Sequence, residues 1–260
     1  PRLDAEVLLA HALDRSRAYL RAWPEHIPEA GQRARFQELL QRRLRGEPVA
    51  YILGRREFWS LSLAISPAVL VPRPETELLV VAALSRLPED TPATVADLGT
   101  GSGAVALAIA RERPQLSVTA TDLVPAALAV AEQNARQLGL TNLRFQQGSW
   151  CQALGQERFD LIVSNPPYIP EQDPHLGQGE LRFEPRNALV AGPDGLEAIR
   201  AIAACAPAHL HPGGWLILEH GYDQGPRVAE LLRHQGLVEV VSHSDLAGHD
   251  RVALGRRPID

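Results

Sequence analysis

The sequence predicts an open α/β sheet that ends in an antiparallel hairpin and is preceded by a small α-helical domain and a β-hairpin linker. Three observations carry this. From Thr94 onward, short apolar runs alternate with amphipathic stretches, the pattern of strands and helices in a sheet covered on both faces. The last two apolar runs are separated by too few residues for a crossover helix, so they must pair antiparallel. Before residue 56 only a helical period is visible.

Taken in order, Leu3, Val7, Leu8, His11 and Ala12 recur near 3.6 residues, and Phe36, Leu39, Leu40 and Leu44 form a second apolar stripe that stops before Gly46 and Pro48. Arg33, Arg35, Arg42, Arg43 and Arg45 crowd its polar side, as a solvated helix face or as a docking surface for an acidic or RNA-associated partner. Between residues 57 and 74 the period shortens to two, through Phe58, Leu61, Leu63 and Ile65 and then Val69 and Val71. Ser66-Pro67 between the two groups marks a hairpin turn. Pro74 with Glu75 and Glu77 opens a helix, proline in its first turn and carboxylates at its positive end. Strands follow over 95–98, 117–121, 142–146, 161–164 and 215–218. Helices follow over 104–111, 125–138, 196–206 and 224–235, and the closing strands lie at 237–242 and 251–254. The expected division is a helical domain over 1–56, a linker over 57–74 and an α/β domain over 75–260.

Composition narrows the chemistry. All 26 Lys+Arg positions are arginine, which excludes Schiff-base catalysis, a phosphate loop ending in lysine and a Ser-x-x-Lys hydrolase. With no methionine in the chain, Pro1 reads as an internal or processed start. Hydrophobic residues at 45% and charged residues at 22% describe a globular protein with ample core, and no apolar run approaches the ~18 residues of a membrane span. A net charge of −5 and a pI near 6.0 argue against a broad nucleic-acid surface. Two cysteines, Cys151 and Cys205, are expected as core thiols in a reducing cytoplasm. His209, His211 and His220 lack metal spacing and read as surface or loop-capping residues.

Two motifs point to a site. Gly99-Thr100-Gly101-Ser102-Gly103 joins a strand to a helix, where glycines let backbone approach a ligand, and its spacing is one residue short of the dinucleotide fingerprint. Asp122 ends the next strand, where a carboxylate can accept both hydroxyls of a ribose. Together these imply an adenosine-containing cofactor without a required pyrophosphate. Asn165-Pro166-Pro167-Tyr168 follows an apolar strand; its prolines remove two N–H donors and leave a rigid turn rich in acceptors, suited to an NH2 group, with Tyr168 available to stack on a flat substrate.

With these motifs and with Arg56-Glu57-Phe58-Trp59-Ser60, Pro72-Arg73-Pro74-Glu75-Thr76-Glu77, Phe183-Glu184-Pro185 and Leu218-Glu219-His220-Gly221, the chain resembles the PrmC/HemK family of release factor glutamine methyltransferases. These belong to the Rossmann-like class I methyltransferases that use S-adenosyl-L-methionine and release S-adenosyl-L-homocysteine. The resemblance implies methylation of the glutamine amide in the Gly-Gly-Gln motif of class-1 peptide chain release factors, in the cytoplasm, with no membrane or nucleic-acid partner. It sets the methionine moiety against Gly99, Thr100, Gly101, Ser102 and Gly103, the ribose on Asp122 and the adenine on Trp150. The substrate glutamine falls to Asn165, Pro166, Pro167 and Tyr168, with Asn165, Pro166 and Tyr168 as catalytic residues and Asn165 also beside the cofactor. The helical domain becomes the release-factor binding module. Ser149 departs from the pattern, since related sequences often carry Asp there. Glu184 and Glu219 either frame the pocket entrance or brace the Asn-Pro-Pro-Tyr turn.

An amide nitrogen is a weak nucleophile, so position and polarity fall to the protein; the implied reaction is a direct in-line transfer without a general base. The same turn suits the exocyclic amine of a flipped adenine, but that chemistry calls for a basic groove and a target-reading domain. A ribosomal-protein glutamine substrate and a silent cofactor-binding module are the other readings.

Overall fold

The structure, a computed structural model, describes residues 2–259; Pro1, read above as an internal start, lies outside them. Four helices open the chain: α1 (Arg2–Leu13), α2 (Arg17–Ala22), α3 (Ala30–Leu44) and α4 (Val49–Leu53). Ser16 caps α2 by accepting the Tyr19 N–H, and Glu29 with Gln32 forms a reciprocal capping box on α3. Leu8, Ala12, Leu39 and Ile52 bury the shared core, with Phe36, Val49 and Leu53 against it. Leu44, expected on the apolar stripe, is exposed at the end of α3. The arginine face is also less free than expected. Arg43 pairs with Asp4 at 2.7 Å and Glu180 at 2.9 Å, and Arg42 pairs with Glu47.

The hairpin is β1 (Arg55–Phe58) and β2 (Leu61–Ala64), antiparallel, with Phe58 paired to Leu61. Its turn is Trp59-Ser60 rather than Ser66-Pro67, and both residues take positive φ, +50° and +58°. That is the twist a two-residue hairpin requires, and it usually falls to Asn or Gly. Val69 and Val71 are buried but form no strand; the Tyr51 hydroxyl donates to the Val69 carbonyl at 2.7 Å.

A 3-10 turn at Pro74–Thr76 leads into α5 (Glu77–Leu84). Then come β3 (Thr94–Leu98), α6 (Ala104–Glu112), β4 (Ser117–Asp122), α7 (Pro125–Leu138), β5 (Leu143–Gln147) and β6 (Phe159–Ser164). α8 (Glu197–His209), β7 (Leu210–Glu219), α9 (Gly225–His234), β8 (Val238–Ser244) and β9 (Asp250–Arg256) complete the chain. The seven-stranded sheet runs β5-β4-β3-β6-β7-β9-β8, parallel from β5 to β7 and antiparallel at β7/β9 and β9/β8, as the short final loop demanded. Successive strand residues serve opposite cores: Val95, Leu161 and Val163 meet the face covered by α5 and α6, while Ala96, Leu98 and Ile162 meet α8 and α9. Strand order reverses between β3 and β6, so a crevice opens at their carboxyl ends. Among the described residues no helix is long and apolar enough to cross a membrane.

The cysteines differ from expectation. Cys151 and Cys205 are joined in a disulfide, with Cα atoms 6.1 Å apart and 54 residues between them in sequence. Cys151 lies in the 3-10 turn Trp150–Leu154 after β5, and α8 brings Cys205 against it. Neither is a free thiol.

Candidate active site

The crevice floor is the turn from β3 into α6. Gly99 and Gly101 hold φ of +72° and +56°, backbone that favours glycine. A Cβ on Gly99 would stand 3.2 Å from the Trp150 ring, whereas one on Gly101 would meet nothing within 4 Å. Gly99 thus lets the Trp150 ring close against the loop, and Gly101 leaves room that a side chain would occupy. The Gly101 N–H donates to Asp122 at 2.9 Å, and the Thr100 N–H to the Thr121 carbonyl at 2.8 Å, tying the loop to the end of β4. Asp122 also accepts the Val124 N–H on its other oxygen at 2.9 Å. Each oxygen of an ionised carboxylate has a second acceptor position, so a diol can still bind there.

Asp97 lies beneath the loop, buried, accepting from the Thr100 hydroxyl at 2.6 Å and the Ala106 N–H at 3.2 Å. Loss of hydration pushes its carboxyl up to about 7, and the nearby Asp122 adds to the rise. It lines the cleft, and the sequence reading left it out although it begins the glycine motif.

The cleft is walled by Trp150, Ser149, Thr76 and Asn165 among others. Trp150 takes φ of +44°, a left-handed backbone that costs an aromatic residue about 1–3 kcal/mol and is typical of functional sites. Ser149, where the sequence departs from the family pattern, faces the cleft as well.

The Asn-Pro-Pro-Tyr turn leaves β6 after Ser164, whose hydroxyl donates to the Leu98 carbonyl at 2.6 Å and fixes the two motifs together. Asn165 and Pro167 line the cleft. Pro166 is buried, and Gly103 serves as the N-cap position of α6. Tyr168 turns away from the cleft: its ring packs on the core shared with α8 and α9, and its hydroxyl donates to Glu219 at 3.3 Å. Burial and the Glu219 charge push that hydroxyl well above the usual tyrosine range, which keeps it a donor. The structure thus shows Tyr168 in a bracing contact with Glu219.

Glu219 is 1% exposed. Burial pushes its carboxyl up to about 7, against the hydrogen bond from Tyr168 and the nearby Arg251. It braces the turn. Glu184 instead accepts the Val71 N–H at 3.1 Å and pairs with Arg73, fastening the linker beneath the helical domain. Thr76, which accepts from Asn165 Nδ2 at 3.1 Å, is a functional candidate that no local sequence signal marked as a site residue, whereas Glu219 takes the bracing one of the two places expected of it. His220, expected at the surface or capping a loop, is fully buried; its Nδ1 meets the Gly221 carbonyl at 2.8 Å, a loop-capping contact, and burial holds the ring below its ordinary value. His211 is exposed and His209 half-buried, and no cluster of three metal-ligating side chains occurs among the described residues.

A parallel sheet reversing at a glycine-floored cleft, with a carboxylate at the end of the neighbouring strand, defines a Rossmann-like methyltransferase. Comparison with known proteins agrees: residues 76–180 match the methyltransferase small domain, and residues 1–54 match the PrmC N-terminal domain. The chain belongs to the release factor glutamine methyltransferase family. It is similar to the release factor glutamine methyltransferase of Xylella fastidiosa strain Temecula1, 57% identical over 99% of this chain and 94% of that protein. It is also similar to that of Pseudomonas aeruginosa, 54% identical over 98% and 92%. In fold alone it matches the Thermus thermophilus 16S rRNA N2 G1207 methyltransferase solved with AdoMet and guanosine. That match has a TM-score of 0.59 and 22% identity, covering 78% of this chain and 49% of that one.

Proposed function

We propose that this chain methylates the side-chain amide nitrogen, N5, of the glutamine in the Gly-Gly-Gln motif of class-1 peptide chain release factors, using S-adenosyl-L-methionine in the cytoplasm. The observation that carries the reading is a neutral asparagine amide, Asn165, held at the wall of a glycine-floored cleft. No lysine or histidine lines that cleft among the described residues.

The residues present fit the methyl donor. The missing side chain at Gly101 leaves the loop open to it, Gly99 lets the Trp150 ring lie against the loop as a flat apolar wall, Asp122 has free acceptor positions for a ribose, and the buried Asp97 suits a cation. When bound, S-adenosyl-L-methionine supplies an electrophilic methyl group on a sulfonium and becomes S-adenosyl-L-homocysteine. Asn165 and the Pro166 carbonyl accept the two hydrogens of the glutamine NH2 and so orient its nitrogen. Tyr168 and Glu219 keep the turn rigid from behind. A dry, preorganised wall of acceptors is how such a site lowers a barrier without proton abstraction. The helical domain over 1–56 is the docking module for the release factor, joined through the 57–74 linker to the catalytic domain over 75–260.

The test is mass spectrometry of a release factor incubated with this protein and isotope-labelled S-adenosyl-L-methionine. Methylation of the Gly-Gly-Gln amide is expected, and N165A should abolish most of it while still binding the donor. Methylation of DNA or RNA alone, or of a ribosomal protein in preference, would overturn the assignment.

A further inference from the structure

The Asn-Pro-Pro-Tyr turn has little means of bracing itself, because Pro166 and Pro167 supply no N–H. At its start it is held by Ser164, whose hydroxyl donates to the Leu98 carbonyl at 2.6 Å. At its end the holding group comes from elsewhere. Gln224 is 5% exposed; its Nε2 donates to the Tyr168 carbonyl at 3.0 Å and the Gly195 carbonyl at 3.3 Å, and its Oε1 accepts the Gly221 N–H at 2.8 Å. Two acceptors at one end of the side chain and a donor at the other admit a single orientation of the amide. The other half of the same backbone unit is also taken, since the Ile169 N–H donates to the Leu189 carbonyl at 2.9 Å. The peptide between Tyr168 and Ile169 is thus pinned on both sides.

The surroundings of Gln224 are shaped to this contact. Gln224 stands at the N-cap position of α9 but makes no side-chain capping bond, so its amide is committed elsewhere. Glycines clear both ends of it. A Cβ on Gly195, whose φ is +73°, would collide with the Tyr168 carbonyl oxygen and stand 2.8 Å from Gln224 Nε2, and one on Gly221 would come 3.1 Å from Gln224 Oε1. We propose that Gln224 is a positioning residue for methyl transfer: by pinning the peptide after Tyr168 it holds Asn165 and the Pro166 carbonyl toward the substrate amide. The inference rests on the proposed amide-methylation reading and adds to it the residue that fixes the far end of the acceptor turn. Gln224 is not among the residues lining the cleft, so it acts through the turn alone.

The pin reaches the acceptors through stiff chain. Proline rings fix φ at two of the four residues of the turn, so few torsions between Ser164 and Tyr168 can absorb a shift, and movement at Tyr168 carries the Pro166 carbonyl and Asn165 with it. Glu219 and Gln224 both stand at the carboxyl end of β7, and they hold Tyr168 by its hydroxyl at 3.3 Å and by its carbonyl at 3.0 Å. Ring and backbone of one residue are fixed together. Without the Gln224 amide the buried end of the turn loses a donor shared by two carbonyls. The turn then relaxes toward other partners, and a misplacement on the order of 1 Å costs about 100-fold in rate.

The test has an arm that needs no turnover. In protein labelled with 13C-carbonyl tyrosine and 15N-isoleucine, only a Tyr-Ile bond gives a carbonyl-to-nitrogen correlation, and the chain has two, Tyr51-Ile52 and Tyr168-Ile169. Q224A and Q224E should displace the second and leave the first. With 15N-asparagine, the Asn165 side-chain NH2 resonances, assigned by their loss in N165A, should move as well. In the second arm, with release factor and saturating S-adenosyl-L-methionine, both variants should lower kcat by about 10- to 100-fold, with KM for the release factor and donor affinity kept. A merely structural defect would instead lower the unfolding midpoint and donor affinity together. In the wild type itself, the Gln224 side-chain hydrogens should exchange with solvent more slowly than those of exposed glutamines, a measurement that stands even if a variant fails to fold. Unprotected Gln224 hydrogens, Asn165 resonances that ignore both substitutions, a loss confined to donor affinity, or wild-type kcat in both variants would overturn the inference. Absence of methyl transfer by the wild type with the resonance changes intact would overturn the functional reading alone.

Discussion

Replacing Asp97 by Asn should make the ligand-free protein more stable at pH 8 than at pH 4.5 relative to wild type, by a large and calculable amount. Asp97 is 2% exposed, and its two hydrogen bonds do not repay the lost hydration of a charge. Its carboxyl is pushed from 3.8 up to about 7, which at 1.36 kcal/mol for each tenfold change in proton affinity is about 4 kcal/mol. The folded state binds this proton more tightly than the unfolded chain, so its contribution is fully present below about pH 4 and is lost as pH rises through about 7. Other acids, such as Asp194 beside Arg200 and Arg227, have lowered values and act in the opposite sense at low pH, but they are common to both proteins and cancel in the difference. Urea unfolding of wild type and D97N at half-unit steps from pH 4.5 to 8 reads it directly. The stability difference should swing in favour of D97N by up to about 4 kcal/mol, most of it before pH 7.5. A difference flat within about 0.5 kcal/mol, the usual scale for an inconsequential substitution, would mean that Asp97 is not a buried carboxylate. The suitability of that wall for a cationic ligand would then go with it.

Three further outcomes follow from the same geometry. G99A and G101A both force alanine into left-handed backbone at about 1–2 kcal/mol; G99A additionally meets Trp150 at 3.2 Å, so calorimetry should find S-adenosyl-L-methionine binding weakened in both and thermal unfolding lowered more in G99A. N134A removes a buried node that accepts the Ala64 N–H and donates to the Ala64 and Ser102 carbonyls at 2.7, 3.1 and 2.9 Å; denaturation should show a loss of about 2–4 kcal/mol, and donor binding should weaken because the hairpin no longer steadies the glycine loop. Thiol titration in denaturant without reductant should find no free sulfhydryl, and reduction of the Cys151–Cys205 bond, 54 residues apart, should cost up to about 4 kcal/mol of stability. Two titratable thiols would restore the expectation of free core cysteines.

What the sequence made legible was whatever a short segment determines by itself. The parallel sheet could be read because each strand and helix of 94–235 carries its own period, and the glycine loop and Asn165 because a run of adjacent residues fixes the backbone there. The hairpin turn was misplaced for the same reason inverted: Ser66-Pro67 has turn chemistry, while Trp59-Ser60 has none and is driven to positive φ by the pairing of Phe58 with Leu61 and of Glu57 with Ser62. The disulfide was hidden because nothing local brings Cys151 to Cys205; α8 must first pack on its face of the sheet.

Thr76 and Glu219 belong to this second kind, reached from Asn165 across 89 residues in one direction and 54 in the other. Yet one of them follows from topology once the strand order is known. If β6 and β7 are adjacent and parallel with Ser164 opposite Leu218, the residue after each must stand side by side at the carboxyl edge, and those residues are Asn165 and Glu219. An acid there is buried by the adjoining elements, so it must find a donor, and the hydroxyl of Tyr168 supplies one at 3.3 Å. Strand register thus puts the Leu-Glu-His-Gly segment behind the Asn-Pro-Pro-Tyr turn, where Glu219 braces Tyr168.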